Sequence, residues 1–229
     1  FYNCTKLSEV GYPSGWTITW DYSNRIYYAD GDSDYRSPFE GCTSLKEITV
    51  DEGVTEIPKH AFRYHTSLEN VILPESLINI GVYAFDGCTG LKAINIPEGE
   101  MTVSDYAFRN CTGLKEVELN EGLTTIGSHA FDGCSGITEI KLPESLTTIN
   151  SNAFQNCTGL KSITIPESVT SIGDEAFTDC YGLTNITYNG TVSEWNAITK
   201  GEDWDYEVPD YTVYCTDGTI AKDGTVTYN

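Results

Sequence analysis

Apolar residues recur along the chain with a spacing of 23 residues. The dipeptide Ala-Phe marks each step, and a cysteine and three columns of Leu, Ile or Val keep the same phase. The Ala-Phe pairs are Ala61-Phe62, Ala84-Phe85, Ala107-Phe108, Ala130-Phe131, Ala153-Phe154 and Ala176-Phe177. Phe39 lies one step before the first pair. The sequence therefore predicts six full structural repeats between Phe39 and Phe177.

Each repeat has the pattern of a short β-strand followed by a turn. β-branched residues alternate, as at Ile163 and Ile165, and Pro and Gly follow in most repeats. This pattern argues against an array of long helices. One unit cannot bury its own apolar side chains, so neighbouring units must stack. We therefore predict a right-handed, β-rich leucine-rich-repeat solenoid with 23-residue repeats, parallel strands and little helix.

The repeat also resembles a known family. The unit A-F-x-x-C-T-x-L-x-x-I-x-I-P-E-S-V-T-x-I-G, as it stands from Ala153 to Gly173, resembles the BspA-like leucine-rich-repeat family of bacterial cell-surface proteins. The resemblance covers about residues 39–189, with a fragment at 1–10. It implies a secreted or cell-surface protein with an adhesion or binding role and no catalytic activity. The first residue is Phe1 rather than Met, so we expect a processed chain or a fragment that lacks its signal segment.

Two segments break the pattern, and they set the predicted domain organisation. The repeat array spans residues 1–189 and carries an aromatic insert at about 11–37, which includes Trp16 and Trp20. The insert is predicted to form a hairpin of Thr17–Trp20 with Arg25–Tyr28. It either projects to bind a sugar or a protein loop, or covers the end of the stack.

The Ala-Phe column ends after the last repeat, and residues 190–229 are predicted to form a C-terminal capping segment. A short helix that starts at Thr191 is expected to press Trp195 onto the last coil. Short strands with turns at Asp217-Gly218 and Asp223-Gly224 should follow, and Glu202–Asp210 is predicted to be a solvated loop.

Composition narrows the possible partners. The chain has 13 Lys and Arg against 34 Asp and Glu, so its net charge is −21. Such a chain repels nucleic-acid phosphates and anionic lipids, which excludes nucleic-acid binding and polybasic membrane docking. No stretch of the sequence approaches the roughly 20 apolar residues that span a bilayer.

The residue types that carry chemistry do not form a catalytic pattern. The repeated cysteine lies between the Phe and Leu columns, so buried free thiols are favoured over disulfides or zinc. His60 and His129 are separated by three coils, and His65 takes the place of a cysteine. We therefore predict that the chain is not an enzyme and has no cofactor, no metal ligands and no catalytic residues.

The exposed positions of the predicted strands remain as a binding surface, with an acidic middle at Glu116, Glu118 and Glu139. A host or surface protein is the expected partner rather than a glycan, because these positions carry no aromatic residues on which a sugar could stack. Two alternatives stay open: a structural spacer that displays another domain, and glycan binding through the aromatic insert. The candidate partner-binding residues are Glu47, Asn70, Asn95, Glu116, Glu118, Glu139, Lys141, Trp16 and Trp20.

Overall fold

The computed structural model describes residues 4–12, 25–27, 33–35, 39 and 42–229. Its backbone forms a β-solenoid in which successive coils repeat every 23 residues and contain almost no helix. Each coil has three sides, which carry a longer strand, a two-residue strand and a turn built around the Ala-Phe pair. The predicted fold class is confirmed.

The longer strands lie in parallel along one side, which we call the long-strand face. Their register follows the repeat, since Ile163 pairs with Ile186. The fragment at the start of the chain also keeps this phase, because Val10 pairs with Ile48. The strands of this face are β1 (Glu9–Tyr12), β4 (Glu47–Val50), β6 (Asn70–Ile72), β8 (Ala93–Ile96), β10 (Glu116–Leu119), β12 (Glu139–Lys141), β14 (Ser162–Ile165), β16 (Asn185–Tyr188) and β18 (Thr212–Cys215).

The two-residue strands form a second parallel sheet, which we call the short-strand face. This sheet is continuous from β5 to β17. Its members are β5 (Glu56–Ile57), β7 (Asn79–Ile80), β9 (Thr102–Val103), β11 (Thr125–Ile126), β13 (Thr148–Ile149), β15 (Ser171–Ile172) and β17 (Thr199–Lys200). The continuous ladder holds every pair of neighbouring coils in this range together on this side.

The phenylalanine column is the centre of the core. All seven rings from Phe39 to Phe177 are fully buried. Neighbouring rings are stacked with their centroids 5.2–5.5 Å apart. Backbone bonds follow the same step, because Phe108 N–H donates to the carbonyl oxygen of Ala130 at 2.8 Å. Side chains of the same rank therefore lie directly over one another, as the repeat predicts.

The repeated cysteines line this core as buried thiols. The Cys88 thiol donates to the carbonyl oxygen of Phe62 at 3.0 Å, and Cys180 makes the same contact with Phe154 at 3.1 Å. Burial raises the pKa of the Cys180 thiol to about 12. His65 fills the slot that lacks a cysteine, and its Nε2 lies 2.8 Å from the carbonyl oxygen of Phe39.

This arrangement predicts a large difference in thiol reactivity between the native and unfolded chains. Only thiolates react quickly, and burial suppresses their formation in the column. At pH 8 we expect Ellman's reagent to modify exposed Cys4 quickly and half-buried Cys215 more slowly. All eight thiols should react in denaturant. Fewer than about six thiols in denaturant would contradict a column of free thiols.

Residues beyond Asn189 begin with the expected helix. Helix α1 (Val192–Ala197) has Thr191 as its N-cap, and the Thr191 and Glu194 side chains form a capping box. Trp195 is buried and packs edge-on against Tyr188, with ring centroids 5.3 Å apart. The predicted position of the helix and the contact of Trp195 with the last repeat strand are confirmed.

The rest of residues 190–229 first adds one more coil to the solenoid and then forms antiparallel strands. The carbonyl oxygen of Trp204 accepts from Phe177 N–H at 2.8 Å, and β18 then pairs in parallel with β16. Residues 202–210 form an irregular, mostly exposed turn, as expected of a solvated loop, and residues 202–206 also extend the turn side of the coil. Antiparallel strands β19 (Gly218–Ala221) and β20 (Val226–Tyr228) follow. The division into an array and a capping segment stays a prediction.

The aromatic insert is described only in part. Strands β2 (Arg25–Tyr27) and β3 (Ser33–Tyr35) pair in antiparallel fashion. The second arm of the predicted hairpin thus pairs with a later segment. The first arm, residues 17–20, lies outside the described residues, as do Trp16 and Trp20.

Candidate interaction surface on the long-strand face

The described candidate residues share the outer surface of the long-strand face. Glu116, Glu118, Glu139 and Lys141 are exposed, and Glu47 is half-buried. This follows from strand geometry, since alternate residues point to opposite sides of a sheet. The structure thus brings Glu116, Glu118, Glu139 and Lys141 together on neighbouring coils. Glu47 and Asn70 lie towards the start of the array, on strands β4 and β6.

The ladder of the long-strand face is interrupted at two places. The described strands divide between β6 and β8 and again between β10 and β12. At the first interruption the coils remain joined, because Lys92 N–H donates to the carbonyl oxygen of Glu69 at 3.1 Å. We call the second interruption, between Glu116–Leu119 and Glu139–Lys141, the seam.

The seam lacks a backbone bond that neighbouring coils make. Just before each long strand, an N–H donates to the carbonyl oxygen 23 residues earlier, as from Lys115 to Lys92 and from Lys161 to Thr138. The equivalent bond from Thr138 to Lys115 is missing among the described residues. On the short-strand face the coils stay joined, because Gly127 N–H donates to Val103 at 3.0 Å.

A cleft lies over the seam. Its larger part has a volume of about 510 Å³ and is lined by residues of β8, β10, β12 and β14. A second part of about 310 Å³ continues along the seam and shares Val117, Glu118 and Lys141 with the first. Val117 is half-buried here, whereas its counterparts Ile94 and Ile140 are buried. The cleft thus has an apolar floor between charged walls.

Charged side chains face each other across the seam. The repeat places Glu116 opposite Glu139 and Glu118 opposite Lys141. Like charges directly opposite each other weaken a pair of strands. Glu9 and Glu47 nevertheless lie opposite each other in the paired strands β1 and β4, so repulsion alone does not interrupt a ladder. None of these four side chains forms an ion pair among the described residues. Their charges therefore remain available to a partner.

One carboxylate elsewhere on this side, that of Glu69, is already neutralised. Glu69 lies between Lys46 and Lys92, at 2.7 Å from the Lys46 ammonium group and in contact with that of Lys92. The hydrogen bond from Lys46, followed by that from Lys92, lowers the pKa of Glu69 to about 2. Unlike Glu69, the seam carboxylates have no cationic partner within ion-pair distance among the described residues.

A second polar cluster lies on the turn side, and the sequence analysis missed it. Asp86 is fully buried, and Arg63 Nε donates to its Oδ2 at 2.8 Å. Arg109 Nε donates to its Oδ1 at 2.9 Å, and both guanidinium groups lie over the ring of Tyr83. The signal in the sequence was the column of Arg63, Asp86, Arg109 and Asp132, which alternates in charge at the repeat spacing. The cluster is a neutralising network within the fold.

Other kinds of site have little support in the described part of the chain. No group of three His, Cys, Asp or Glu side chains is placed there to hold a metal ion. In the same residues, no helix has the length and apolar character needed to cross a bilayer. The seam is thus the candidate site that the described residues offer.

A family model and solved structures resemble the chain. The model of the BspA type leucine rich repeat region matches residues 35–111 and 79–198, with six copies. No curated protein matches the chain.

Among solved structures, the leucine-rich repeat protein TpLRR of T. pallidum is 26% identical, with a TM-score of 0.64. That match covers 81% of this chain and 87% of TpLRR. A leucine-rich repeat protein from Bacteroides ovatus ATCC 8483 is also 26% identical, with a TM-score of 0.62 over 94% of this chain. A leucine rich cell surface protein from Faecalibacterium prausnitzii A2-165 is 27% identical over 70% of this chain, with a TM-score of 0.44. The matches span 57% of the Bacteroides ovatus protein and 64% of the Faecalibacterium prausnitzii protein.

Proposed function

The chain belongs to the BspA-type leucine-rich-repeat family, and on this premise we propose that it is a non-catalytic binding module that holds a protein partner on its long-strand face. The proposed setting is the outside of a bacterial cell, either secreted or at the surface, where the module acts in adhesion to a host or surface protein. The family match supports a repeat module of this kind.

The seam cleft is the observation that carries this proposal. It combines about 510 Å³ of space, a half-buried Val117 and three carboxylates that form no ion pair among the described residues. A spacer requires only that coils stack, and it gains nothing from unpaired charges over an open ladder. A binding surface gains both complementarity and orientation from them. Glu116, Glu118, Glu139 and Lys141 are therefore the proposed contact residues.

Charge reversal at the seam tests this proposal. We expect the variant Glu116→Lys, Glu118→Lys and Glu139→Lys to bind its partner at least tenfold more weakly, a loss of about 1.4 kcal/mol or more. Host extracellular proteins are captured on the immobilised chain and identified by mass spectrometry. The dissociation constant of each captured protein is then measured by surface plasmon resonance.

A matched control separates the seam from the overall charge. The variant Glu75→Lys, Glu167→Lys and Asp210→Lys changes three exposed carboxylates elsewhere and alters the net charge by the same amount. It should bind as the wild type does. If the wild type, the seam variant and the control variant all bound the partner with equal affinity, binding at the seam would be contradicted. A role as a structural spacer would then be favoured.

A further inference from the structure

We infer that the seam cleft binds arginine side chains of the partner protein, and that the carboxylates of Glu116 and Glu139 are their main contacts. This inference rests on the proposed function, because it names the chemistry by which the partner is recognised at the same site. It commits to one occupant, a guanidinium group presented at the surface of a protein.

The cleft has room for side chains over the sheet, but not for another strand within it. Strands β10 and β12 remain neighbours across the seam. Phe108 and Phe131 stack at 5.4 Å on the turn side, and Gly127 N–H donates to the carbonyl oxygen of Val103 at 3.0 Å on the short-strand face. The coils thus keep their ordinary spacing. A partner therefore fills the volume of about 510 Å³ with side chains that reach down onto the face.

Among the strands from β6 to β16, only the two that border the seam carry charged outward residues. The outward positions of β6, β8, β14 and β16 hold only Asn, Ser, Thr, Ala and Ile. Along the two parts of the cleft, five carboxylates and two ammonium groups line the walls. The cleft is therefore negatively charged, and complementary charge in the partner means a cation.

The strongest attraction for a cation lies between Glu116 and Glu139. The repeat places these two carboxylates opposite each other, and neighbouring strands lie about 4.8 Å apart. Glu118 instead lies opposite Lys141, whose ammonium group offsets part of its charge. Lys115 also lines the cleft, but it forms no ion pair with either carboxylate among the described residues. A cation between Glu116 and Glu139 thus removes the repulsion between two like charges.

The floor of the cleft favours a guanidinium group over an ammonium group. Val117 is half-buried there, so part of an apolar side chain remains accessible beside the carboxylates. A guanidinium group is planar and weakly hydrated, so it can lie on such a surface and donate to two carboxylates from its edges. The methylene stem of arginine covers further apolar surface. The ammonium group of lysine is compact and strongly hydrated, and it therefore gains less in this cleft.

Short synthetic peptides test the inference directly. The probe is an acetylated, amidated pentapeptide that alternates glycine and arginine, and two counterparts carry lysine or citrulline in place of arginine. Citrulline keeps the shape of arginine but has no charge. Binding is followed by amide chemical shifts of the wild type, of the seam variant Glu116→Gln, Glu139→Gln and of a control variant. The control, Glu75→Gln, Glu167→Gln, removes the same charge at exposed positions away from the seam.

We expect the arginine peptide to shift the amide signals of residues 116–119 and 139–141 in the wild type and in the control variant. The lysine peptide should bind about threefold or more weakly, and the citrulline peptide about tenfold or more weakly. The seam variant should also bind the arginine peptide about tenfold or more weakly. Equal affinity for arginine and lysine, unchanged affinity in the seam variant, or shifts absent from the seam would each overturn the inference. In each of these cases, a charge-sensitive affinity for a captured protein would leave the proposed function standing.

Discussion

Replacing Phe108 with alanine is expected to lower the free energy of unfolding by about 3–5 kcal/mol, the usual cost of removing a buried phenylalanine. The Phe108 ring is fully buried and stacks between Phe85 and Phe131 at 5.2 and 5.4 Å. Its loss leaves a cavity in the middle of the column and weakens two interfaces between coils. Urea denaturation followed by circular dichroism measures the effect.

The matched control for this prediction is an exposed apolar residue of the array. The Ile78 side chain is 57% exposed on a neighbouring coil, so Ile78→Ala should change stability by less than about 0.5 kcal/mol. A change below about 1 kcal/mol for Phe108→Ala would show that the column does not hold the coils together. Because interactions in a solenoid connect nearest neighbours, a two-step transition in the Phe108 variant would show that the two halves unfold separately.

The second large decrease in the free energy of unfolding is expected from Asp86→Asn. Asp86 neutralises Arg63 and Arg109, and the Arg63 side chain is 2% exposed. Breaking a buried ion pair by removing one charge typically costs about 3–5 kcal/mol, because the remaining charge is left without compensation in a poorly solvated site. Asparagine keeps the size of the side chain, so the loss reports charge rather than packing. Thermal and urea unfolding at pH 7 measure it.

Asp132→Asn is the control, because Asp132 occupies the same column two coils later. Its side chain is 16% exposed and accepts hydrogen bonds from Asn156 and His129, which an amide oxygen retains in part. A loss of less than about 1 kcal/mol is expected there. Similar losses of stability in the two variants would mean that the Arg63–Asp86–Arg109 cluster stabilises the fold no more than an ordinary, partly exposed aspartate does.

Local chemistry in the sequence was sufficient for the repeated parts of the fold. The Gly column is an example, since a Cβ at Gly113 would lie 2.3 Å from the carbonyl oxygen of Thr89 in the preceding coil. The capping helix is another, because Thr191 and Glu194 supply a capping box and Trp195 an apolar anchor. The cap contacts lie within one turn of chain, and the glycine contact recurs between neighbouring coils at the fixed repeat spacing, so residue types at that spacing are enough to predict them.

The sequence did not show how the chain accommodates a polar residue in one of its apolar columns, and only the packing in the structure does. Leu77, Leu123 and Leu146 define an apolar column in which the third repeat has Glu100. In the structure Glu100 is exposed, and the next residue, Met101, is buried instead. The backbone changes course at Gly99, whose φ of +128° suits glycine, and Val103 returns to register with Ile126. Here the burial of the Met101 side chain takes precedence over the exact 23-residue spacing of the column.

The candidate site, too, could be predicted from the sequence only in part. Its residues could be named from the sequence, because the alternation within a strand fixes which side chains face outwards. The position of the seam could not be predicted, because opposed carboxylates do not by themselves interrupt the ladder: Glu9 and Glu47 also lie opposite each other, and their strands pair.

The amino-acid sequence by itself determined the period of the solenoid, the columns of its core and the outward-facing residues, because each follows from residue types at a fixed spacing. Only the tertiary structure decided where the long-strand ladder opens and how Asp86 is neutralised between Arg63 and Arg109. Both depend on contacts between coils, in which charge, burial and backbone bonding compete, and a repeated pattern does not state which of them prevails.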